Sequence, residues 1–260
     1  MRWTGLELAD QFAAMVAEHG SAPMLTDEMV QELTLEQAGD VSVVWAPFDH
    51  VTLSARLVVV GITPGRAQAE NALSAFGDAL RLGADVDQAL LAADRTGSFS
   101  GPMRRNLVDM LDHIGVPAAV GVESTEQLFA LDSGLLHTTS ALRYPVFIAS
   151  RNYNGSPDMV RTPILRRMID NLLTSEAEVL ASALWLPLGP KAERAVGYLV
   201  ARGSLEEPQV LRGLPHPSGA NAERIAYFLG RKPREALSPK TNPDGLDATR
   251  SRLMDRLSTP

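Results

Sequence analysis

Residues 56–65 read RLVVVGITPG, and this stretch decides the fold. The run from Leu57 to Val60 is apolar and mostly β-branched, as in a central parallel strand buried on both faces. Gly61, Pro64 and Gly65 then make a rigid turn, and residues 67–82 have helical spacing. The same strand–turn–helix order recurs twice. ALWLPL at 183–188 precedes Gly189-Pro190 and a helix over 191–202. Residues 209–214 precede HPSG at 216–219 and a helix over 221–230. This order predicts an α/β fold: a single domain with a central, mostly parallel sheet and helices on both faces. Ligands of such sheets bind outside the carboxyl ends of the strands. Four unusual turns, GITPG, TTSALRYP (138–145), LGP (188–190) and LPHPSG (214–219), each follow a predicted strand, so one sheet edge is expected to carry all four.

Outward from this core, Leu6, Leu8, Phe12, Met15 and Val16 mark a helix over 5–19. Thr26 is the expected N-cap of a second helix ending near Gly39. VSVVW at 41–45 is a short strand broken by Pro47. Further helices are expected over 85–94, from Pro102 to His113, and over 163–180, with a strand end at 135–140. TGSFSGP (96–102) and residues 143–163 are loops by composition. The partition is a helical extension over 1–45, an α/β domain over 46–230 and a C-terminal arm over 231–260. The proline- and charge-rich arm is either packed on the domain or partly disordered.

The chain has 260 residues, of which 45% are hydrophobic and 21% charged, an ordinary globular composition. It contains no cysteine, which excludes disulfides, thiolate zinc sites, a cysteine nucleophile and an iron–sulfur cluster. No apolar run reaches the roughly 18 residues that a membrane helix needs, so no membrane partner is expected. Glu7, Asp10 and Glu18 near the start do not fit a signal peptide, and a cytoplasmic location is expected. A net charge of −7 argues against a protein that coats nucleic acid without selectivity. It leaves room for a local basic cleft. Arg104, Arg105, Arg166, Arg167, Arg224, Arg231, Lys232 and Arg234 are its candidates, and ordinary solvated arginines are the alternative.

Three motifs carry chemistry. In GITPG, backbone N–H groups of a Gly/Pro turn can face a ligand, and Thr63 presents a hydroxyl. In LPHPSGANAERI (214–225), prolines hold the chain extended around His216, and Ser218 or Asn221 is a candidate cap for the next helix. The positive end of that helix favours a nearby anion and a neutral, donating histidine. In SFSGP (98–102), Phe99 is suited to stacking on a base. Each has a plainer alternative: a simple turn, a histidine bonded to a local carbonyl, and a phenylalanine anchored in the core.

Taken in order, the motifs resemble the uracil-DNA glycosylase superfamily. Its members open with a G-x-x-P-G-like turn, similar to GITPG. Its iron–sulfur members carry a stretch like P-F-V-G-x-A-G-x-x-L-x-x-x-L-x-x-I-G, which SFSGPMRRNLVDMLDHIG (98–115) resembles. TTSALRYP is similar to their threonine-containing strand end, WLPLGPKA (185–192) to an L-G-x-x-A strand end, and HPSGAN (216–221) to a late H-P-S turn. The resemblance covers roughly 55–230.

It implies an enzyme of base excision repair that flips a base out of the stack and hydrolyses its N-glycosidic bond. The substrate is DNA, single- or double-stranded, carrying uracil or a related damaged base. The enzyme is expected to be monofunctional and monomeric, with no metal and no cofactor. By resemblance, His216 bonds the base O2 as the base leaves, and Phe99 stacks on it. Gly61, Ile62, Thr63, Pro64 and Gly65 wall the pocket and place the water. Thr139 and Ser140 lie at the base-reading strand end. Pro217, Ser218 and Gly219 meet DNA phosphates, Ala220 and Asn221 sit at the intercalating tip, and Arg224 follows.

Two departures bear on activity. Relatives carry Asp or Asn where this chain has Thr63, and a threonine accepts no proton at neutral pH. The loss of a general base lowers the expected rate by about 10²–10⁴-fold, unless Asp49 or His50 supplies the function. The uracil-reading asparagine is absent near Thr139, and Asn152 or Asn154 is its candidate replacement. Arg143 and Tyr144 are candidates for the pocket rim or for loop packing. A protein that grips uracil or abasic DNA with little turnover is the second reading. An unrelated α/β hydrolase is the third, although the chain has no P-loop and no G-x-S-x-G elbow.

Overall fold

The computed structural model describes residues 5–19, 24–97, 101–130 and 133–258. In chain order, α1 (Gly5–His19) and α2 (Asp27–Glu32) precede β1 (Thr34–Ala38) and β2 (Val41–Val44). β3 (Leu57–Gly61) leads into α3 (Arg66–Arg81), α4 (Val86–Gly97), α5 (Gly101–His113) and α6 (Val116–Val120). β4 (Leu136–Ser140), β5 (Val146–Ile148) and β6 (Arg151–Asn152) follow. Next come α7 (Pro163–Met168), a π-helical turn (Ile169–Leu173), α8 (Thr174–Val179) and β7 (Leu184–Pro187). α9 (Pro190–Ala201), α10 (Ala222–Phe228) and α11 (Pro243–Leu257) complete the chain.

The protein is α/β, with a small parallel sheet in the order β4-β3-β7 flanked by helices. β3 runs parallel to β7 with Leu57 opposite Leu184 and Val60 opposite Pro187, and Val210 adds a single bridge to Trp185. All four residues of β3 from Leu57 to Val60 are fully buried, as a two-sided central strand requires. Residues 209–214 were expected to be a strand, but only Val210 pairs. Gly213, at φ 88, turns the chain away.

Of a second sheet only β2 was legible in the sequence, as VSVVW. β1-β2-β5-β6 form an antiparallel meander. The predicted helix from Thr26 to Gly39 stops at Glu32, and residues 34–38 are a strand. The reason is the two-residue turn that follows. Gly39, at φ 58, sits at its first central position, and Ala38 pairs with Val41 across it. That hairpin geometry overrides the helix propensity of TLEQA. β5 and β6 close a second two-residue hairpin at Ala149 (φ 46) and Ser150 (φ 65). Residues with a Cβ carry steric cost in this left-handed region. Replacing Ala149-Ser150 by Asn-Gly is therefore expected to stabilise the protein by about 1 kcal/mol. In a thermal melt that is a rise of about 2–4 °C, and a fall would show the turn to be unstrained.

The chain folds into two compact units: residues 1–51, 61–98 and 138–181, and residues 52–60, 99–137 and 182–260. In the first, α1, α3 and α4 pack together, and Trp45 lies 4.9 Å from Phe12 and 5.8 Å from Phe76 by ring centroids. In the second, β3 and β7 are covered by Leu107, Met110 and Leu111 of α5, Ile225 and Phe228 of α10 and Leu253 of α11. The C-terminal helix thus shares this core rather than trailing from it. Among the described residues, no helix is long and apolar enough to cross a membrane.

Candidate functional site

In the first unit, the turn after β3 is zipped to the end of β4. Ala141 N–H donates to the Gly61 carbonyl (2.9 Å) and Leu142 N–H to the Ile62 carbonyl (3.0 Å). Thr63 Oγ1 donates to the Tyr144 carbonyl at 3.0 Å, so its proton is committed to holding the turn. A Cβ on Gly61 would sit 3.4 Å from Ser140 Oγ and 3.7 Å from the Thr139 carbonyl, so the two strand ends approach closely. Pro64 is buried, and Gly65 caps α3, its N–H donating to Gln68 Oε1 at 3.0 Å. Asn152 is exposed, and its Oδ1 accepts from Arg66 N–H at 3.0 Å. The structure therefore brings Asn152 to the GITPG turn, with its acceptor in use and its amide N–H groups next to Gly65. Asn154 is exposed two residues on. Phe99 lies outside the described residues.

Asp49, a candidate general base, has no such freedom. Trp45 Nε1 (3.1 Å) and Tyr144 Oη (2.6 Å) donate to its two oxygens, and Arg143 Nη1 lies 3.5 Å away. Burial pushes its carboxyl up to about 6 against the pull of Arg143. Arg143 also donates through Nε (3.0 Å) and Nη2 to Glu176 Oε1, which accepts the Thr139 hydroxyl at 3.1 Å as well. Burial works to lower the Arg143 guanidinium, yet Glu176 and Asp49 outweigh it and hold the charge firmly on. Burial, then Asp49, drives the Tyr144 phenol far up. Of the two readings for Arg143 and Tyr144, packing holds: they are buried members of an ionic cluster beneath the turn. Glu176 belongs to this cluster, and nothing around it in TSEAEV marked it in the sequence. His50 is half-buried.

In the second unit, the HPSG turn presents His216 half-buried, with Pro215 and Pro217 buried on either side. Ser218 N–H donates to His216 Nδ1 at 3.2 Å. Nδ1 is thus the acceptor, and the neutral ring carries its proton on Nε2. Burial lowers the imidazole below its ordinary range, which favours that neutral form. Asn106 Nδ2 of α5 donates to the Pro217 carbonyl at 2.9 Å and fixes the turn from behind. Ser218 or Asn221 was the expected cap of the following helix, but neither side chain makes a capping hydrogen bond. The single turn Gly219–Asn221 comes first, and α10 has only seven residues. At His216 burial favours the neutral form, and Ser218 N–H fixes Nδ1 as the acceptor. Gly219 and Ala220 are exposed, and Arg224 donates to Asn221 Oδ1 at 3.3 Å.

His216 lines an open cleft of about 530 Å³ whose far wall is the C-terminal segment, with Lys240, Asn242 and Leu246. The segment is tied down by Glu223, which accepts from Lys232 Nζ (2.7 Å), Ser238 Oγ (2.6 Å) and Thr241 Oγ1 (2.6 Å). These bonds, that from Lys232 first, hold the Glu223 carboxyl down at about 2. A depressed carboxylate contributes its stability above its ordinary range, near pH 4.5, and loses it as pH falls towards 2. Amides 238–242 are accordingly expected to lose hydrogen-exchange protection over that window. Glu223→Gln should bring the same loss at pH 7. Unchanged protection in that variant would mean that the segment is held by other contacts.

The candidate basic residues are mostly neutralised. Arg166 faces Asp170, Arg167 pairs with Glu36, Arg231 with Asp109, Lys232 with Glu223 and Arg234 with Asp244. Arg104 lies over the Phe129 ring, 5.2 Å from its centroid. Among the described residues, no group of three or more His, Asp or Glu side chains is placed to hold a metal ion.

The chain is similar to the uncharacterized protein YoxB of Bacillus subtilis (strain 168). The two are 35% identical over 225 residues, which cover 85% of this chain and 88% of YoxB. No protein-family model matches the chain, and no solved structure does.

Proposed function

We propose that this chain, which belongs to the family of the Bacillus subtilis protein YoxB, is a DNA glycosylase of the uracil-DNA glycosylase type; the proposal rests on the His216 turn and not on that relative. It hydrolyses the N-glycosidic bond of uracil, or of a related damaged base, and leaves an abasic site without cutting the strand. The supporting observation is the His216 turn. A neutral imidazole, with Nδ1 occupied by Ser218 N–H, has one N–H left to give at Nε2. As the glycosidic bond breaks, its electron pair goes to the base, water supplies the hydroxyl at C1′, and the proton that water loses ends on the departing base anion. An oriented donor to the base oxygen stabilises the charge that develops there.

The test is incubation of the protein with end-labelled single-stranded DNA carrying one uracil, in EDTA, followed by alkali. Breaks at the uracil position alone are expected. No break with any of uracil, hypoxanthine or xanthine would reject the enzyme.

One observation favours a second reading, a protein that binds uracil or abasic DNA with little turnover. The Thr63 hydroxyl is committed to the Tyr144 carbonyl, and both oxygens of Asp49 are bonded to buried donors. Neither group is therefore free to take a proton from water. Retention of uracil or abasic DNA in a gel shift, without breaks, selects this reading.

A further inference from the structure

The cleft beside His216 carries a charge pattern that the catalytic reading does not use. The protein is acidic, and the cations of its C-terminal segment are largely spent on acids: Arg231 on Asp109, Lys232 on Glu223, Arg234 on Asp244 and Arg250 on Asp247. Arg224 and Lys240 differ. Both are exposed, both line the cleft, and among the described residues neither has an acid partner. Arg224 Nη2 instead donates to the Lys240 carbonyl at 3.4 Å, which ties the two cation-bearing segments together. The amide side chains of Asn221 and Asn242 line the same cleft. Its acid is Glu193, beside the turn after β7, whose field is shared by Arg212.

Two cations without an acid partner among the described residues, on different segments of one cleft that Asn221 and Asn242 also line, suit a tetrahedral anion with several acceptor oxygens. We infer that this cleft is a phosphate subsite, formed by Arg224 and Lys240 with Asn221 and Asn242. The C-terminal segment is then one jaw of a phosphate clamp, held in place by the Glu223 tether. The phosphate's carrier rests on the proposed function: it is the backbone of the strand whose base is processed, and a free nucleotide is the other source of the same chemistry.

Neutralising a cation that contacts a phosphate lowers the slope of log affinity against log salt by about 0.7 per contact on single strands. Binding of fluorescent dT12, which contains no uracil, is measured between low and moderate salt for the wild type, Lys240→Gln and Arg234→Gln. Lys240 is exposed, and melting temperatures check that each variant folds. A slope smaller by about 0.7 in Lys240→Gln, with no change in Arg234→Gln, supports a polymer-backbone subsite. If dT12 does not bind but dUMP or inorganic phosphate raises the melting temperature of the wild type and not of Lys240→Gln, the subsite stands with a free phosphate ligand. Failure of the nucleic-acid reading would then show separately, in the uracil-cutting assay. Slopes and melting shifts that ignore Lys240 overturn the subsite, whatever that assay reports.

Discussion

His216→Ala is expected to slow release of uracil from single-stranded DNA by about 10²–10³-fold, the loss typical of removing one donor to a developing oxyanion. The ring is held by two constraints. Ser218 N–H occupies Nδ1, and the buried prolines on either side fix the backbone that carries it. The donor therefore needs little reorganisation when charge develops on the base. Because the bond strengthens only as the base leaves, kcat should fall more than KM rises. His216→Asn, which keeps a donor on a shorter arm, should recover part of the rate. A loss below tenfold in the alanine variant would remove His216 from the chemistry and leave it as a support for the HPSG turn.

Arg143→Met is expected to destabilise the protein by about 3–5 kcal/mol at pH 7, because removing one partner of a buried ion pair strands the other. Here two carboxylates lose their cation and keep neutral hydrogen-bond donors, Trp45 and Tyr144 on Asp49 and Thr139 on Glu176. Asp49 and Glu176 are both buried, and Arg143 is the cation between them. Methionine fills comparable volume, so the loss reports mainly the missing charge. The variant should regain stability as the pH falls below neutral. The Asp49 carboxyl already sits at about 6 and will rise further without the guanidinium. A carboxyl raised on folding adds stability when protonated, and that stability is lost as pH rises through its folded value. Urea denaturation at pH 7 and pH 5 measures both effects. A variant as stable as the wild type at pH 7 would show the cluster to be solvated rather than buried.

What was legible in the sequence follows from local punctuation. LVVV followed by GITPG could only be a buried strand entering a turn, and Gly61, Thr63 and Gly65 stand where that reading puts them. HPSG was legible for the same reason, since two prolines leave His216 few conformations. Of the antiparallel sheet only VSVVW was legible. TLEQA has no alternation strong enough to outweigh its helix propensity, and its strand pairing depends on Gly39, whose role only the hairpin makes visible. The partners of Arg143 were equally hidden, because Asp49 and Glu176 lie 94 and 33 residues from it along the chain. Lys240 and Asn242 fell in a segment whose composition suggested only an arm, whereas Leu253 of α11 is fully buried in the core. Long-range placement of charge leaves no periodic trace in a sequence.

The mass of the products from an oligonucleotide carrying one uracil, after incubation with the protein in EDTA and before any alkali, distinguishes hydrolysis of the base from every other outcome. N-glycosidic hydrolysis predicts free uracil and an intact abasic strand in equal amounts, and both should fall together in His216→Ala. Unchanged oligonucleotide, or strands cut at a phosphodiester with uracil still attached, would show that the protein does not hydrolyse the N-glycosidic bond.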